Sequence, residues 1–384
     1  MLQLRAIGQA ASLAWYGPPI IANSTGNEEE FIDNFIDESD VSTITNIRHA
    51  SVNVNNQIIL GEGEFGVVKL MRRTTNPNNR PEETKSTSTK QQQHDNLVAV
   101  KILRKGYSMR DNILYSPPLP SLLQTEVSIL RTLNGTRHAL HLQSVYEGNR
   151  FLYLITEVCT GGSFMDYREQ LLSNHPSEEE DETTSGMVPT GFVKQISFEL
   201  MDAVDHCAKN GVIHRDIKPG NIMFVKTEGG MSLRLIDFGS GALDDPIALH
   251  SEEATAKRHS TFCGSAFYSS PEMFQRTYTY KTDVWSAGVT VYVFVFGFPS
   301  GDIMQPIFDC FQSSEDKDRD LKSSLSLVDE TFMVEQNYYE DSFWKMLNGC
   351  IYFRHKGRWS AGDALRCDFI SGHCVDGAAT CVNK

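Results

Sequence analysis

No run in this 384-residue chain approaches the roughly 18 consecutive apolar residues of a membrane-crossing helix. The richest apolar stretch, Ala287–Gly297, is too short to span and reads as a buried core helix. Cysteine is scattered: the eight Cys include no C-x-x-C pair, which argues against a zinc site and a small disulfide framework. Free buried thiols in a reducing compartment are the expected state. Positive charge is in deficit, with Lys+Arg 35 against Asp+Glu 49 and a net charge of −14. Without a basic stripe, neither a nucleic-acid nor a membrane partner is expected. Arg5 is the only basic group at the very start, and Ala6–Ala14 is weakly apolar, which makes a poor secretory leader. A cytoplasmic location is expected, with the nucleus as the alternative.

What is present is organised. Residues 1–53 are polar, aperiodic and partly acidic, as in a mobile extension, with one short helix expected around Phe31–Ile36. Strand patterning begins at Ile58–Leu60 and resumes at Val67–Leu70. Residues 74–95 are low-complexity and cannot bury a core, so a disordered insertion between two strands is expected there. Leu97–Leu103 and Phe151–Thr156 read as strands, and Ser121–Leu133 as a helix. Gly161 and Gly162 suggest a hinge between a strand-rich half and a helix-rich half. Beyond it, Phe192–Lys209 has one apolar helical face, and helices dominate from Pro271 onward. Short strands are expected at Ile222–Phe224 and Leu233–Ile236, and polar inserts at Ser177–Glu182 and Ser313–Asp320.

Four motifs carry chemistry. Gly61-x-Gly63-x-x-Gly66 alone is compatible with a dinucleotide turn or a ligand-free hairpin. A dinucleotide site needs a helix after the glycines, whereas strand-forming Val67–Leu70 follows here. Lys101 lies inside the strand of Val98–Lys101, where an inward ammonium needs an anion to offset its desolvation. Nucleotide phosphates are one such anion. Glu126, set among Val127, Ile129 and Leu130, is the other. His214–Asn221 is the strongest signal. Asp216 can accept the hydrogen bond of an attacking hydroxyl, and Lys218 can neutralise charge on a moving phosphoryl group. Asn221 suits a hard metal that takes oxygen ligands, and Asp237 in Asp237–Gly239 supplies an anionic one.

In this order the motifs resemble the eukaryotic protein kinase family, serine/threonine type, over about residues 57–371. Ser270–Glu272, Asp283–Gly288 and Gly357–Arg358 are similar to later motifs of that family. Phe262–Glu272 and Trp285–Pro299 look most like the calcium/calmodulin-dependent group. The resemblance implies an α+β, bilobal protein-kinase-like fold within a domain at 54–371. Its small β-rich N-lobe, with one main helix, would occupy about 54–158, and its larger helical C-lobe about 159–371. A short tail would fill 372–384. It implies ATP and Mg2+ as cofactors and proteins carrying Ser/Thr as substrates. A monomer is expected.

By the same resemblance, Gly61, Glu62, Gly63, Gly66, Val68, Ala99, Lys101, Thr156, Glu157 and Cys159 would contact the nucleotide. Asn221 and Asp237 would hold metal, and Asp216, Lys218, Lys101 and Glu126 would form the catalytic set. Glu272–Arg358 would be a buried ion pair, and Asp283 would support the catalytic-loop backbone. Arg215 would await a phosphate on Thr261, placed by an upstream activating kinase or by autophosphorylation. No EF-hand calcium loop and no basic amphipathic tail helix occur, so direct calcium control within the chain is not expected. The alternative reading is a catalytically inactive pseudokinase that acts as a binding or scaffold protein. The retention of Lys101, Asp216, Asn221 and Asp237 argues against it.

Overall fold

The computed structural model describes residues 25–27, 35–37, 51–52, 57–62, 66–73, 96–105, 108–110, 113–115, 120–174, 187–244, 259–298, 339–352 and 354–371. Gly63, the expected insertions at 74–95, 177–182 and 313–320, and the tail at 372–384 lie outside the described residues. The chain divides into two units: Met1–Gly162 with Phe224–Arg234, and Ser163–Met223 with Leu235–Lys384.

The first unit is built on a sheet. Its strands are β1 (Thr25–Asn27), β2 (Phe35–Asp37), β3 (Ser51–Val52), β4 (Ile58–Glu62), β5 (Gly66–Arg73) and β6 (Leu97–Arg104). A small hairpin follows, β7 (Ser108–Arg110) with β8 (Ile113–Tyr115). Then come helix α1 (Pro120–Thr132), β9 (Leu142–Glu147) and β10 (Phe151–Thr156). The sheet runs β1-β9-β10-β6-β5-β4-β3, with β2 paired to β5. The expected helix at Phe31–Ile36 is therefore not formed at its C-terminal end, since Phe35 and Ile36 pair with Arg73 and Arg72. Residues 31–34 lie outside the described residues.

Alternation sorts the central strands. Met71, Val98, Val100, Tyr153 and Ile155 bury one face as a cluster. Each such side chain contributes on the order of 1.5–3 kcal/mol when fully buried. The opposite face carries Val68, Ala99, Lys101 and Thr156, because Val68 is registered with Lys101 and Thr156 with Ala99. Helix α1 opens on Pro120, whose missing N–H is harmless at that position. It buries Leu123, Val127 and Leu130 at helical spacing. Glu126 shares that buried stripe.

The second unit is helical: α2 (Phe164–Asn174), α3 (Thr190–Lys209), α4 (Lys281–Phe296), α5 (Asp341–Cys350), α6 (Ala361–Leu365) and α7 (Asp368–Ser371). Helix α3 buries Val193, Ile196, Leu200, Val204 and Cys207, the face the sequence marks as apolar. It ends at Asn210, and Gly211 then turns the chain with φ 71° into the strand Val212–Ile213. That strand delivers His214. Helix α4 is buried on almost every side, as its composition requires. No described helix is long and apolar enough to cross a membrane.

Candidate active site

In the first unit, Lys101 Nζ donates to Glu126 Oε1 at 2.6 Å. The carboxylate side chain is only 5% exposed and the lysine 27%, so the ammonium offsets the desolvation of the carboxylate and keeps partial access to solvent. Val68, Ala99 and Thr156 share the sheet face that carries Lys101. The Thr156 hydroxyl leans on the carbonyls of Ala99 at 3.4 Å and Glu157 at 3.3 Å. The Glu157 side chain is engaged structurally: Oε1 accepts from Arg234 Nε and from the His141 N–H, both at 2.9 Å. Its own N–H donates to the His141 carbonyl at 3.1 Å. Cys159 follows two residues later in the same connection.

Gly61 and Glu62 end β4, and Gly66 opens β5. A Cβ at Gly66 would stand 2.0 Å from the Ile102 carbonyl oxygen, whereas one at Gly61 would meet nothing within 4 Å. The requirement at Gly66 is therefore close approach of two strands. Room for phosphates is not what the structure demands at that position.

In the second unit, Asp216 is the hub. Its Oδ1 accepts the Ser265 N–H at 2.8 Å. Its Oδ2 accepts from Lys218 Nζ at 2.8 Å and from Asn221 Nδ2 at 3.0 Å. Lys218 Nζ also donates to Ser265 Oγ at 2.7 Å. Gly264 makes this possible: its φ is +82°, and a Cβ there would lie 2.3 Å from the Arg215 carbonyl oxygen. Asn221 Nδ2 donates to the Asp216 carbonyl as well, at 2.8 Å, so its amide oxygen is turned the other way.

The Ile236 N–H donates to the Asn221 carbonyl at 2.9 Å, which sets Asp237 beside the Asn221 backbone. Asp237 is exposed, and its carboxylate with the Asn221 amide oxygen makes a hard, oxygen-only donor pair whose chemistry fits a magnesium-type cation. Among the described residues, no cluster of three or more His, Cys, Asp or Glu forms a separate metal site. Phe238 is fully buried against His214, with ring centroids 4.7 Å apart.

Scaffold residues fix this loop. Asp283, at the start of α4, accepts the N–H of His214 at 2.6 Å and of Arg215 at 2.9 Å. Burial pushes its carboxyl pKa up, while His214 and the two N–H donors pull it back. Acceptance by both oxygens is the arrangement of an ionised group. Arg215 is held at φ 68°, a left-handed conformation that is uncommon for a side chain of its size. Glu272 and Arg358 form a bidentate pair, Nη1 to Oε1 and Nη2 to Oε2, the second at 2.9 Å. Arg358 also donates to the carbonyls of Tyr352 and Lys281, so its buried guanidinium is well satisfied.

Thr261 is exposed, and its carbonyl accepts the Tyr278 hydroxyl at 2.6 Å. The Arg215 guanidinium donates to the carbonyls of Ser240 at 2.5 Å and Gly241 at 2.7 Å, and to the Tyr278 hydroxyl at 3.3 Å. Sequence reasoning paired Arg215 with Thr261 but missed Tyr278, the residue that lies between them. No local signal distinguishes Tyr278 from neighbouring Tyr280.

A protein kinase domain matches residues 83–370. The chain is 32% identical over 175 residues to CDPK-related kinase 5 of Arabidopsis thaliana, covering 46% of this chain and 26% of that protein. It is 27% identical over 260 residues to calcium-dependent protein kinase 7 of Oryza sativa subsp. japonica, covering 67% of this chain and 41% of that one. It is 27% identical over 345 residues to calcium-dependent protein kinase 4 of Plasmodium falciparum, covering 85% and 56%. The chain thus spans between about a quarter and just over half the length of these relatives. The glycine loop precedes the matched span, but the seven registered pairs between β5 and β6 tie it to the strand of Lys101. With its sheet unit, its helical unit and its Asp216-centred loop, the chain belongs to the protein kinase family, and within it is similar to calcium-dependent and CDPK-related kinases.

Proposed function

We propose that this chain catalyses ATP- and magnesium-dependent phosphorylation of serine or threonine on protein substrates. The observation that carries the reading is the Asp216 carboxylate, fixed by Ser265, Lys218 and Asn221 in a chain of this family. Asp216 would orient the substrate hydroxyl and accept its proton as the oxygen attacks the γ-phosphorus and the bond to the bridging oxygen breaks, releasing ADP. Lys218, already bridging Asp216 and Ser265, would supply positive charge where it develops on the transferring group. Lys101, steadied by Glu126, would bind the nucleotide phosphates. Asn221 and Asp237 would hold the cation, and the chemistry a divalent cation supplies there is charge neutralisation on the phosphates. The Glu157 carbonyl and the Cys159 backbone would serve the adenine.

Lys218 in place of the Arg and Ala runs of tyrosine kinases favours serine and threonine. The retained Lys101, Asp216, Asn221 and Asp237 speak against a binding-only role. Control by phosphate on Thr261, a monomeric state and a cytoplasmic location belong to the same reading. The test is transfer of labelled phosphate from Mg–ATP to a Ser/Thr peptide library by the purified chain, with Asp216→Asn as the control. Incorporation lost in Asp216→Asn supports the reading. Incorporation absent in the unaltered protein, or equal in both, overturns it.

A further inference from the structure

Asp244 and His259 stand 15 residues apart, yet His259 Nε2 and Asp244 Oδ2 are 2.6 Å apart. Both side chains are withdrawn from water, at 10% exposed for the histidine and 1% for the aspartate. Asp244 is anchored to the strand that leads into the catalytic loop. Its N–H donates to the Gly211 carbonyl at 2.7 Å, and Leu243 and Ala242 pair with Val212 and Ile213. His259 is anchored on the other side. Its backbone forms a two-bond bridge with Tyr278, at 3.0 and 3.3 Å, and the two rings stack at 5.5 Å.

The Tyr278 hydroxyl then ties the Thr261 carbonyl to Arg215. Four stretches of chain meet here: Gly211–Arg215, Ser240–Asp244, His259–Thr261 and Tyr278. The knot closes four residues before Ser265, which holds Asp216. Among the described residues it is built from backbone carbonyls, the Tyr278 phenol, the Arg215 guanidinium, the His259 imidazole and the buried Asp244 carboxylate, all groups that the chain itself supplies.

We propose that Asp244, His259 and Tyr278 are positioning residues that clamp the segment bearing Thr261 and Ser265 onto the catalytic loop, with the Asp244 carboxylate as the built-in anion of the clamp. The proposal rests on the phosphoryl-transfer reading of Asp216. The clamp gives the unphosphorylated protein a basal activity, and phosphate on Thr261 adds to it rather than creating it. Three consequences follow for the segment: its order depends on Asp244 and His259, it governs peptide binding more than nucleotide binding, and phosphate on Thr261 can stand in for the clamp.

The test uses the full chain after phosphatase treatment. The variants are Asp244→Asn, His259→Ala, Tyr278→Phe, and His259→Gln, which keeps an amide donor near the imidazole Nε2. Amide hydrogen exchange is read by mass spectrometry over 259–268 and over 281–296. Peptide KM, ATP KM and kcat are read on the same samples. The expected result is exchange about tenfold faster over 259–268 in the first three variants, the scale of losing one or two hydrogen bonds, with 281–296 unchanged. Peptide KM rises with ATP KM constant, and His259→Gln recovers part of both effects. Rephosphorylation on Thr261 restores peptide KM. Unchanged exchange, or equal acceleration over 281–296, overturns the clamp, as does a joint rise of both KM values. If the phosphatase-treated protein transfers no phosphate but the Thr261-phosphorylated protein does, the basal role of the clamp falls; if neither does, the kinase reading falls, and the exchange arm still decides whether the clamp exists.

Discussion

Replacing Asp283 by alanine tests how far the chemistry of the loop depends on a residue that never meets substrate. The side chain is 2% exposed and accepts two backbone N–H groups, those of His214 and Arg215. Alanine leaves both donors unpaired in a buried place, at a cost of about 1–3 kcal/mol each. Part is recovered, because Arg215 can relax from φ 68°, a strain on the order of 1–3 kcal/mol. A net loss of roughly 1–3 kcal/mol remains, which at about 1.5 °C per kcal/mol for a domain of roughly 300 residues lowers Tm by about 2–5 °C. Asparagine keeps one acceptor and should lose about half as much. The relaxation also moves Asp216, the next residue, and a displacement near 1 Å costs on the order of 10²-fold in rate. Thermal melting followed by circular dichroism, with kcat on the same samples, measures both effects. The reasoning is refuted if Asp283→Ala melts within about 1 °C of the unaltered protein and turns over at its rate.

Lys101→Met and Asp237→Ala should each leave a folded protein whose phosphoryl transfer falls by about 10²–10³-fold or more, as initial rates with saturating Mg–ATP would record. In a peptide array, selection for Arg two or three residues before the acceptor should be weak. By the resemblance to the kinase family, Ser163 and Gly220 stand where many basophilic relatives place the acidic residues that read it, and neighbouring Asp166 is occupied by the Ser163 N–H and hydroxyl at 3.1 and 2.9 Å. Active enzyme should carry phosphate on Thr261 by mass spectrometry, and Thr261→Ala should lower activity; full activity with neither would dismiss that control. Burial pushes the Cys350 thiol up to about 12, so at pH 8 the reactive thiolate is scarce. Iodoacetamide should label Cys350 in denaturant and spare it in the native protein, as peptide mapping will tell.

Where meaning sat in neighbouring residues, the sequence was readable. Val98–Lys101 alternates within one strand, and His214–Asn221 holds Asp216, Lys218 and Asn221 within one loop, so local patterning located them. Glu126 needed one further step, from an inward carboxylate on an apolar helix to the lysine it accompanies, and the 2.6 Å pair matches that step. The short strands Thr25–Asn27, Phe35–Asp37 and Ser51–Val52 escaped notice. Strands of two or three residues have no readable period; the pairing of the first two is set by β9 and β5, far along the chain, and the third pairs with neighbouring β4. The hairpin strands run Ile222–Thr227 and Gly230–Leu235, longer than apolar content alone marks, because cross-strand bonds extend them through Lys226 and Thr227. Asp244 and His259 lie 15 residues apart with no motif joining them, and nothing local announces that they meet.

The same contrast explains why this loop needs so much support. Arg215 and Asp237 are two of the three described non-glycine residues with positive φ, and each adjoins or is a residue assigned to the chemistry. A backbone bent this way presents side chains where a relaxed one would not, and it persists only if its surroundings hold it. Asp283 holds Arg215 from the start of α4, and Ser240 and Gly241 hold its guanidinium from the other side. Asp237 is held by the Ile236-to-Asn221 bond before it and by buried Phe238 after it. The strain thus sits where phosphoryl transfer would need fixed groups, and the offsetting contacts come from elements well separated in sequence. A motif can therefore identify the reacting residues, while their positioning depends on contacts that only the fold brings together.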